Sequence, residues 1–465
     1  MAELTAFLQP QQLLTPLFTM ELPNTSTADI KLAVERLSAQ RQSLQVFYDY
    51  YGGKHQLNYS SQKFKNKFGR RLQSLRENLC RVVVKAPASR LETIGFQSDS
   101  KEIEKAAWGV WKQNNLPFNA GKVHREAFKT GSAYVIVWAD KNNKARIYPQ
   151  VSSNITVWRD PETGEINKAA KMWQENKKWF LTLYYPDRIE KYISENENSR
   201  ASFIPRRVEG EDFPLKNEWG VVPVFEFVPE AETDDRGVSI LSDVIPLNDV
   251  LNKSWSDIIG AQEENMRRRR FVAGLQVETD EETGKKINPF KPDDDVWIAG
   301  ESETKFGEFS DADLTKMLEV LDRAVKAIAL VSGIPPSYFN IESVGTAVSG
   351  EALRKIEARF IAIVQDAQRS FGESWANVMS LCLQIEDKKV GSIETQWTPA
   401  APIGELEALD INLKKLSLGW SVEQIQRDYG LSDTQISLMA KEIDERKKKA
   451  VETSAKFFDG GSLFE

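Results

Sequence analysis

Residues 349–385, SGEALRKIEARFIAIVQDAQRSFGESWANVMSLCLQI, predict the longest helix of this 465-residue chain. Apolar side chains recur in it every three or four residues, the spacing of one helical face: Leu353, Ile356, Phe360, Ile363, Ala367, Phe371, Trp375 and Val378. At about 57 Å, it exceeds the usual globular helix severalfold. We therefore expect its apolar face to pack on neighbouring copies of the chain. Gly372, between Ser370 and Ser374, is a predicted bend.

A pair of helices precedes this segment and encloses a small β insert. Residues 238–270 predict the first helix, with Pro246 near its start and a broad apolar face: Ile245, Val250, Leu251, Trp255, Ile258 and Ile259. Residues 312–331 predict the second, which stops at Gly333, Pro335 and Pro336. Between them, the polar sequences DEETGKK and KPDDD predict turns between short strands.

The N-terminal half predicts a body of helices and antiparallel strands. Prolines break residues 1–25, a predicted flexible leader, and a helix is expected to begin near Ser26. Further helices are expected at 63–84 and 101–113, followed at 131–228 by strands joined in hairpins. Residues 403–450 predict two or three short helices before a loose tail. The predicted fold class is therefore α+β.

Composition and charge indicate a folded, intracellular protein. The chain is 41% hydrophobic and 28% charged, without a run of apolar residues long enough to span a membrane or the features of a signal peptide. Cys80 and Cys382 are far apart in sequence, which argues against a disulfide framework and suits a reducing cytoplasm. The net charge of -7 does not favour a tight grip on nucleic acid.

Motifs for catalysis, cofactor binding and metal binding are mostly missing from the sequence. The chain has only two histidines, His55 and His124, and lacks a paired CxxC, a nucleophile elbow and a dinucleotide fingerprint. The acidic runs Asp234–Asp235 and Asp293–Asp295 are expected to be solvated loop charges rather than a cation site. The sequence GGKH at 52–55 lacks the remaining features of a phosphate loop. We expect no enzyme activity, catalytic residue, cofactor or metal.

Three stretches together resemble the tailed-bacteriophage portal protein family, in its long non-contractile-tailed branch. They are RLSAQRQSLQVFYDYYGGKHQL with FKNKFGRRLQSLRENLCRVVVKAPASRLETIGF, then GVSILSDVIPLNDVLNKSWSDII, then SGIPPSYFNIESVGTAVSGEALRKIEARF. They occur in the family's order and cover roughly residues 30–385. Beyond Pro399 the similarity is loose.

The resemblance implies a portal fold with a wing, a long-helix stem, a small α/β clip, a tunnel loop and a helical crown. The implied segments after the 1–25 leader are a wing at 26–237, stem helices at 238–270 and 312–333, a clip at 271–311, a tunnel loop at 334–348, a long wing helix with its following segment at 349–399, and a crown with the C-terminal tail at 400–465.

The resemblance also implies a function and a set of partners. Such a protein forms a homo-oligomeric ring, usually a dodecamer, at one capsid vertex of the virion, after assembly in the host cytoplasm. Genomic double-stranded DNA passes through the ring during packaging and ejection, without sequence-specific contacts. The implied protein partners are the large terminase subunit, a head-completion adaptor, and the major capsid and scaffold proteins. No membrane is implied.

Three groups of residues are candidate sites under this resemblance. The candidate tunnel-loop contacts to DNA are Tyr338, Phe339, Asn340, Glu342, Ser343 and Thr346. The alternative is an ordinary connection in which Tyr338 and Phe339 anchor into a core. Arg267, Arg268, Arg269 and Arg270 are a candidate basic ring, or cations that favour the C-terminus of a helix. Lys285, Lys286, Asp293, Asp294 and Asp295 are candidate partner-binding residues of the clip.

Two other classes of protein remain open from the sequence alone. One is a phage or cellular assembly protein or adaptor that has elongated helices but no DNA channel. The other is a phosphoryl-transferring enzyme with a two-metal carboxylate site, which would need at least three converging carboxylates. Electron micrographs of the purified protein would separate these classes, because only a portal predicts closed rings with a hole wide enough for duplex DNA.

Overall fold

The structure is a computed structural model that describes most of the chain. The described residues are 24–56, 76–208, 210, 212–230, 237–266, 270–274, 277, 279, 282–285, 303–308, 313–339, 350–389, 391–401, 405–428, 431 and 433–459. Residues 1–23 of the predicted leader and most of the helix predicted at 63–84 lie outside these ranges, and the last two leader residues begin the first helix. Within them the chain contains both helices and antiparallel strands, which confirms the α+β class.

The helices in chain order are α1 Asn24–Gly52, α2 Cys80–Ala88, α3 Lys101–Gln113, α4 Leu116–Thr130, α5 Val244–Met266, α6 Leu314–Ser332, α7 Gly350–Ile385, α8 Glu405–Ser417, α9 Val422–Asp428 and α10 Asp433–Asp459. The strands are β1 Thr93–Ser98, β2 Ala133–Ala139, β3 Ala145–Gln150, β4 Ile155–Arg159, β5 Ile166–Glu175, β6 Lys178–Tyr184, β7 Arg188–Ser194, β8 Phe203–Pro205, β9 Leu215–Lys216, β10 Val224–Phe227, β11 Arg270–Ala273, β12 Lys305–Glu308 and β13 Ile393–Trp397.

The chain divides into two compact units, of which the first consists of the described parts of Met1–Ser43 and Ser153–Val222. Its sheet has the strand order β4-β5-β6-β7-β8, with β9 also paired to β7, and these pairs are antiparallel. Alternation along β5 and β6 places Ala170, Met172, Leu181 and Leu183 on one face, where they pack with Ala33 and Leu37 of α1. Burial of this one face fixes the register of the sheet.

The second unit, Leu44–Ser152 with Pro223–Glu465, has its core around α7. Between Phe360 and Ile385 most of the large apolar side chains of α7 are buried, whereas Ile361 and Ile363 are partly exposed. The strand pair β1–β13 and the three-stranded sheet β10-β2-β3 belong to the same unit. Trp375 is the centre of an aromatic cluster, with ring centroids 4.9 Å from Trp111 and 4.6 Å from Phe227. These contacts are within the range of favourable aromatic pairs.

The burial of α7 corrects one expectation from the sequence. The length of this helix predicted an apolar face that only neighbouring copies could cover. Phe360, Phe371 and Trp375 are instead buried within their own chain. Helix α7 continues through Gly372 without a break. Its glycine allows a close approach of β13, since a Cβ there would lie 3.2 Å from Nε1 of Trp397.

Other predicted elements agree with the structure to different degrees. The helix predicted at 101–113 is α3, and Ser100 caps it by accepting from the Glu102 amide. Helix α4 was not predicted, because Pro117 and Gly121 obscure its pattern; Pro117 lies in its first turn, where proline is tolerated. Helix α2 continues past residue 84, where a helix was predicted to end, and includes Pro87. The last C-terminal helix, α10, is long rather than short and includes much of the predicted tail.

His124 on α4 is a buried, neutral part of the core around Trp375. Its Nε2 accepts a hydrogen bond from Nε1 of Trp375 at 3.0 Å, and its ring stacks on Phe371. Burial lowers the pKa of His124 to about 3, although a backbone hydrogen bond with Leu91 opposes the shift. Because the unfolded chain takes up this proton near pH 6.5 and the folded chain does not, acid favours unfolding.

We therefore expect the free energy of unfolding to be insensitive to His124 above about pH 6.5 and to fall below it. The expected loss is about 1.4 kcal/mol per pH unit, or about 2 kcal/mol at pH 5, continuing towards pH 3. Urea titrations at pH 8 and pH 5 measure it. His124→Gln keeps a side-chain acceptor for Trp375 and should remove this part of the pH dependence. An unchanged pH dependence in His124→Gln would contradict the assignment. Burial also lowers the pKa of His55. Because His55 is present in both the wild type and His124→Gln, the difference between the two proteins reports on His124.

Candidate functional site

Two paired helices, α5 and α6, form the candidate site together with the strands that lie between them in sequence. They correspond to the predicted helices at 238–270 and 312–331. Strands β11 and β12 form an antiparallel ribbon in which Arg270 pairs with Glu308 and Phe271 with Gly307. The Phe271 ring covers Gly307, where a Cβ would come within 2.4 Å of that ring. The glycine is therefore required for this cross-strand contact.

The first half of α5 is fixed by polar side chains rather than only by apolar packing. Asn252 accepts from the Glu77 amide at 2.9 Å and donates to the Glu77 carbonyl at 3.0 Å. Asn248 accepts from the Leu79 amide at 3.3 Å, which serves the start of α2. Tyr50 of α1 donates to Asp249 at 2.7 Å. Because Asn248 and Asn252 are buried, their backbone partners hold α5 in one orientation.

These asparagines were missed in the sequence. The available signal was the spacing: Asn248, Asn252 and Ser256 recur every four residues within an otherwise apolar helix, and each is buried. A buried polar stripe of this kind requires partners from another segment. The sequence does not say which segment supplies them, since residues 77–79 are about 170 positions away.

Helix α6 buries one face in its own chain and has exposed apolar residues elsewhere along its length. The buried residues are Leu321, Ala324, Ile328, Ala329 and Ser332. Leu318 and Val320 are each 50% exposed, and Leu330 is 71% exposed. Val331 is 39% exposed as well. Single exposed apolar residues are ordinary on protein surfaces, but four on one helix leave apolar area that an association would bury.

The C-terminus of α6 is joined firmly to α7. Gly333 ends the helix in the left-handed conformation, at φ +69°. Arg359 of α7 donates to the carbonyl of Leu330 at 2.7 Å, which satisfies one of the terminal carbonyls. Ile334 is almost fully buried directly afterwards. The chain that leaves α6 is therefore anchored before it reaches the residues predicted as the tunnel loop's centre.

Tyr338 lies at the start of the predicted tunnel loop and is held in place. Its hydroxyl accepts from Arg90 at 2.7 Å, and its ring centroid is 5.3 Å from that of Phe360. Tyr338 and Phe339 end a short 3-10 helix, Pro336–Phe339, and both are partly exposed. These contacts support the alternative that Tyr338 anchors the loop. Asn340, Glu342, Ser343 and Thr346 lie outside the described residues.

The other predicted site residues are described only in part. Arg270 was expected to lie at the end of a helix. It instead begins strand β11, and α5 is described as far as Met266. Lys285 follows Gly284, which has a φ of +63°. Arg267, Arg268, Arg269, Lys286, Asp293, Asp294 and Asp295 lie outside the described residues, as do Asp234 and Asp235. The basic ring and the partner-binding residues of the clip therefore stay predictions.

The two cysteines have packing roles. Cys80 and Cys382 are both free and buried. Burial raises the pKa of the Cys80 thiol to about 12 and also raises the pKa of Cys382, so neither is a reactive thiolate. Among the residues that the structure describes, no cluster of three His, Cys, Asp or Glu side chains could hold a metal ion.

None of the described helices is both long enough and apolar enough to cross a membrane.

The chain is thus an α+β protein in which a helix pair, with a β ribbon between its two members in sequence, is followed by one long helix. Comparison with known proteins identifies its family. The family model "Phage portal protein, SPP1 Gp6-like" matches residues 31–449. The chain therefore belongs to the phage portal protein family, which confirms the resemblance found in the sequence.

Individual relatives agree with this family. The chain is 24% identical over 358 residues to the portal protein of Mycobacterium phage L5, covering 69% of this chain and 68% of the relative. It is 25% identical over 396 residues to the portal protein of Mycobacterium phage D29, covering 76% and 75%. A chain from the neck of a native gene transfer agent particle is 12% identical, with a TM-score of 0.45, and 76% of this chain and 88% of that one are covered. That TM-score describes a loose superposition, from which nothing about function follows.

Proposed function

We infer that this portal protein works as one subunit of a closed ring, usually a dodecamer, at a single capsid vertex of the virion. Duplex DNA would pass through the ring during packaging and ejection. The observation that carries the proposal is the family match over residues 31–449. Portal proteins are structural, so the role of this chain would be to guide DNA and to provide a docking site for partner proteins rather than to catalyse a reaction.

The order of the described helices and strands supports separate roles for different segments of the subunit. Helices α5 and α6 would form the stem, and the β11–β12 ribbon would belong to the clip, which faces the packaging motor and later the adaptor. The exposed Leu318, Val320 and Leu330 of α6 offer apolar area to a neighbouring copy. Residues near 340–348 would form the tunnel loop, and α8, α9 and α10 the crown. The wing would consist of the first unit, of the second unit's residues up to 237, and of α7 with the segment that follows it.

The proposed partners follow from this position. The large terminase subunit supplies ATP hydrolysis, since the sequence lacks the motifs for it. A head-completion adaptor replaces the motor at the clip, and the scaffold and major capsid proteins surround the body. Assembly would take place in the host cytoplasm. DNA contacts would be non-specific, because a translocating duplex presents every sequence in turn.

Electron microscopy of the purified protein tests the ring directly. Closed rings with a bore wide enough for duplex DNA are the expected result. Monomers or open filaments at concentrations where the protein is folded would contradict the channel and favour an assembly protein without one. ATP hydrolysis or DNA cleavage by the purified chain would contradict a structural role.

Replacing Arg267, Arg268, Arg269 and Arg270 together with glutamine is expected to impair DNA packaging and leave ring formation intact. The reason is that four adjacent cations on each subunit would form a basic belt, whose phosphate contacts depend on charge. Packaged DNA is measured by nuclease protection, and rings by electron microscopy. Normal packaging with intact rings would exclude this role. Loss of the rings would instead place the arginines in subunit contacts.

A further inference from the structure

Two tryptophans of the first unit are each flanked by two cations. Arg36 lies 5.0 Å from the ring centroid of Trp158, and Nζ of Lys168 lies 5.1 Å from the same ring. Arg41 and Arg200 each lie 5.0 Å from the ring centroid of Trp179. Such contacts position a cation over an aromatic face and leave N–H groups free for another partner.

The acidic side chains nearby neutralise only one of the four cations. Asp29 pairs with Lys168 at 2.7 Å and also accepts from Tyr185 at 2.6 Å. Within the described residues, no ion pair to a carboxylate is formed by Arg36, Arg41 or Arg200. The positive charge is therefore uncompensated in a chain that is acidic as a whole, at a net -7.

Like charges also meet at Trp179. Arg41 donates to Asn154 at 2.8 Å and to the Met172 carbonyl at 3.1 Å, which holds it against the sheet. Arg200 donates to Ser38 at 2.7 Å and is otherwise exposed. Burial lowers the pKa of Arg41, and the neighbouring Arg200 charge lowers it further. An anion bound between the two guanidinium groups would relieve this repulsion.

The register of the sheet gives the spacing between the two groups. Trp158 pairs with Lys168 and Trp179 pairs with Gln174, and both partners lie on β5. Lys168 and Gln174 lie six positions apart on an extended strand, so their Cα atoms are about 20 Å apart on the face that carries α1. A single small anion cannot reach both groups. A polyanion with closely spaced charges can, and duplex DNA carries one charge per about 1.7 Å of its axis.

We propose that the face formed by α1, Trp158 and Trp179 binds the phosphate backbone of duplex DNA through Arg36, Arg41, Lys168 and Arg200. The two indole rings are covered by cations, so they position charge and do not stack on bases. Binding is therefore independent of sequence and sensitive to salt. It does not depend on passage through a channel.

Relaxed, covalently closed circular duplex tests the proposal, because a closed circle cannot thread a ring that has already assembled. Wild-type protein is expected to bind it at about 50 mM salt and to release it as salt rises. Arg36→Gln with Arg200→Gln should weaken binding at least tenfold and reduce the slope of log K against log salt by about 2. Arg36→Lys with Arg200→Lys should retain most of the affinity, since phosphate contacts follow charge.

A control variant that loses the same number of positive charges elsewhere in the chain distinguishes an effect of this face from an effect of net charge. Arg369→Gln with Lys414→Gln removes two exposed cations from the second unit, where they pair with Asp366 and Asp410, and should leave binding within about twofold. Equal binding by the Arg36/Arg200 glutamine variant and the wild type would overturn the proposal. So would failure of the wild type to bind closed circles, or preference for poly-glutamate, which would assign the face to an acidic protein. Ring formation is measured separately by electron microscopy. A protein that forms no rings would contradict the proposed channel function without deciding whether this face binds DNA.

Discussion

Gly237→Ala is expected to reduce the free energy of unfolding by more than about 3 kcal/mol and to leave little soluble protein. A Cβ at Gly237 would lie 2.1 Å from the carbonyl oxygen of Gly131, and a Cβ at Gly131 would lie 2.5 Å from that of Gly237. Both obstacles are backbone atoms, which cannot turn aside as the end of a flexible side chain does. Gly131 also has a φ of +90°, which side chains rarely tolerate.

The consequence extends beyond the two glycines because their segments are tied together. Ser239 donates to the Lys129 carbonyl at 2.7 Å, and the Ile240 amide donates to that of Phe128 at 3.2 Å. Separating the backbones to admit a methyl group would break these bonds at the approach to α5. The loss of buried hydrogen bonds adds to the steric cost.

Gly109→Ala is the matched control for this prediction. Gly109 lies inside α3, is exposed, and has no atom within 4 Å of an added Cβ. Because alanine is the better helix former, this variant should be more stable by about 0.5–1 kcal/mol. Urea unfolding of both variants measures the difference. Similar stability of Gly237→Ala and Gly109→Ala would contradict the close approach of the two backbones.

Trp375→Ala is expected to cost about 3–5 kcal/mol, the range for removing a large aromatic side chain from a core. Trp375 is fully buried between Trp111, Phe227 and His124. Its removal creates a cavity in the middle of α7's packing and leaves Nε2 of His124 without its donor. Partial collapse of the cluster could recover little, since its members are large and rigid.

Two further variants divide this cost into its causes. Trp375→Phe keeps most of the aromatic volume and loses the hydrogen bond, so it should cost less than Trp375→Ala. Trp420→Ala removes a tryptophan that is 47% exposed and should cost under about 1 kcal/mol. Denaturant unfolding followed by circular dichroism compares the three. Equal costs for Trp375→Ala and Trp420→Ala would show that Trp375 is not a centre of the core.

Local sequence patterns predicted those parts of the fold that depend on local periodicity. The boundaries of α3 and α7 and the pairing of hairpins such as β5–β6 follow from turn residues and repeating apolar positions. What covers each apolar face did not follow. The face of α7 is covered by strands and helices from distant segments, including β13 and α3, and only the folded chain shows this.

The candidate site was predictable to a smaller extent. The helix pair α5 and α6 and the ribbon between them were expected from the order of segments. The anchoring of Tyr338 by Arg90 was not, because 248 positions separate the two residues. The flanking of Trp158 and Trp179 by cations depends on the register of β4, β5 and β6 against α1, which no spacing in the sequence reveals.

The described core around Phe371 and Trp375 of α7 is buried within a single copy of the chain, and this bears on how assembly is controlled. Folding of this core needs no neighbouring subunit. Association then depends on concentration and on the apolar areas left exposed elsewhere, such as those on α6 and α8. The step that commits subunits to a particle would accordingly be the association of folded subunits and not a folding reaction. Other proteins could therefore control when it takes place.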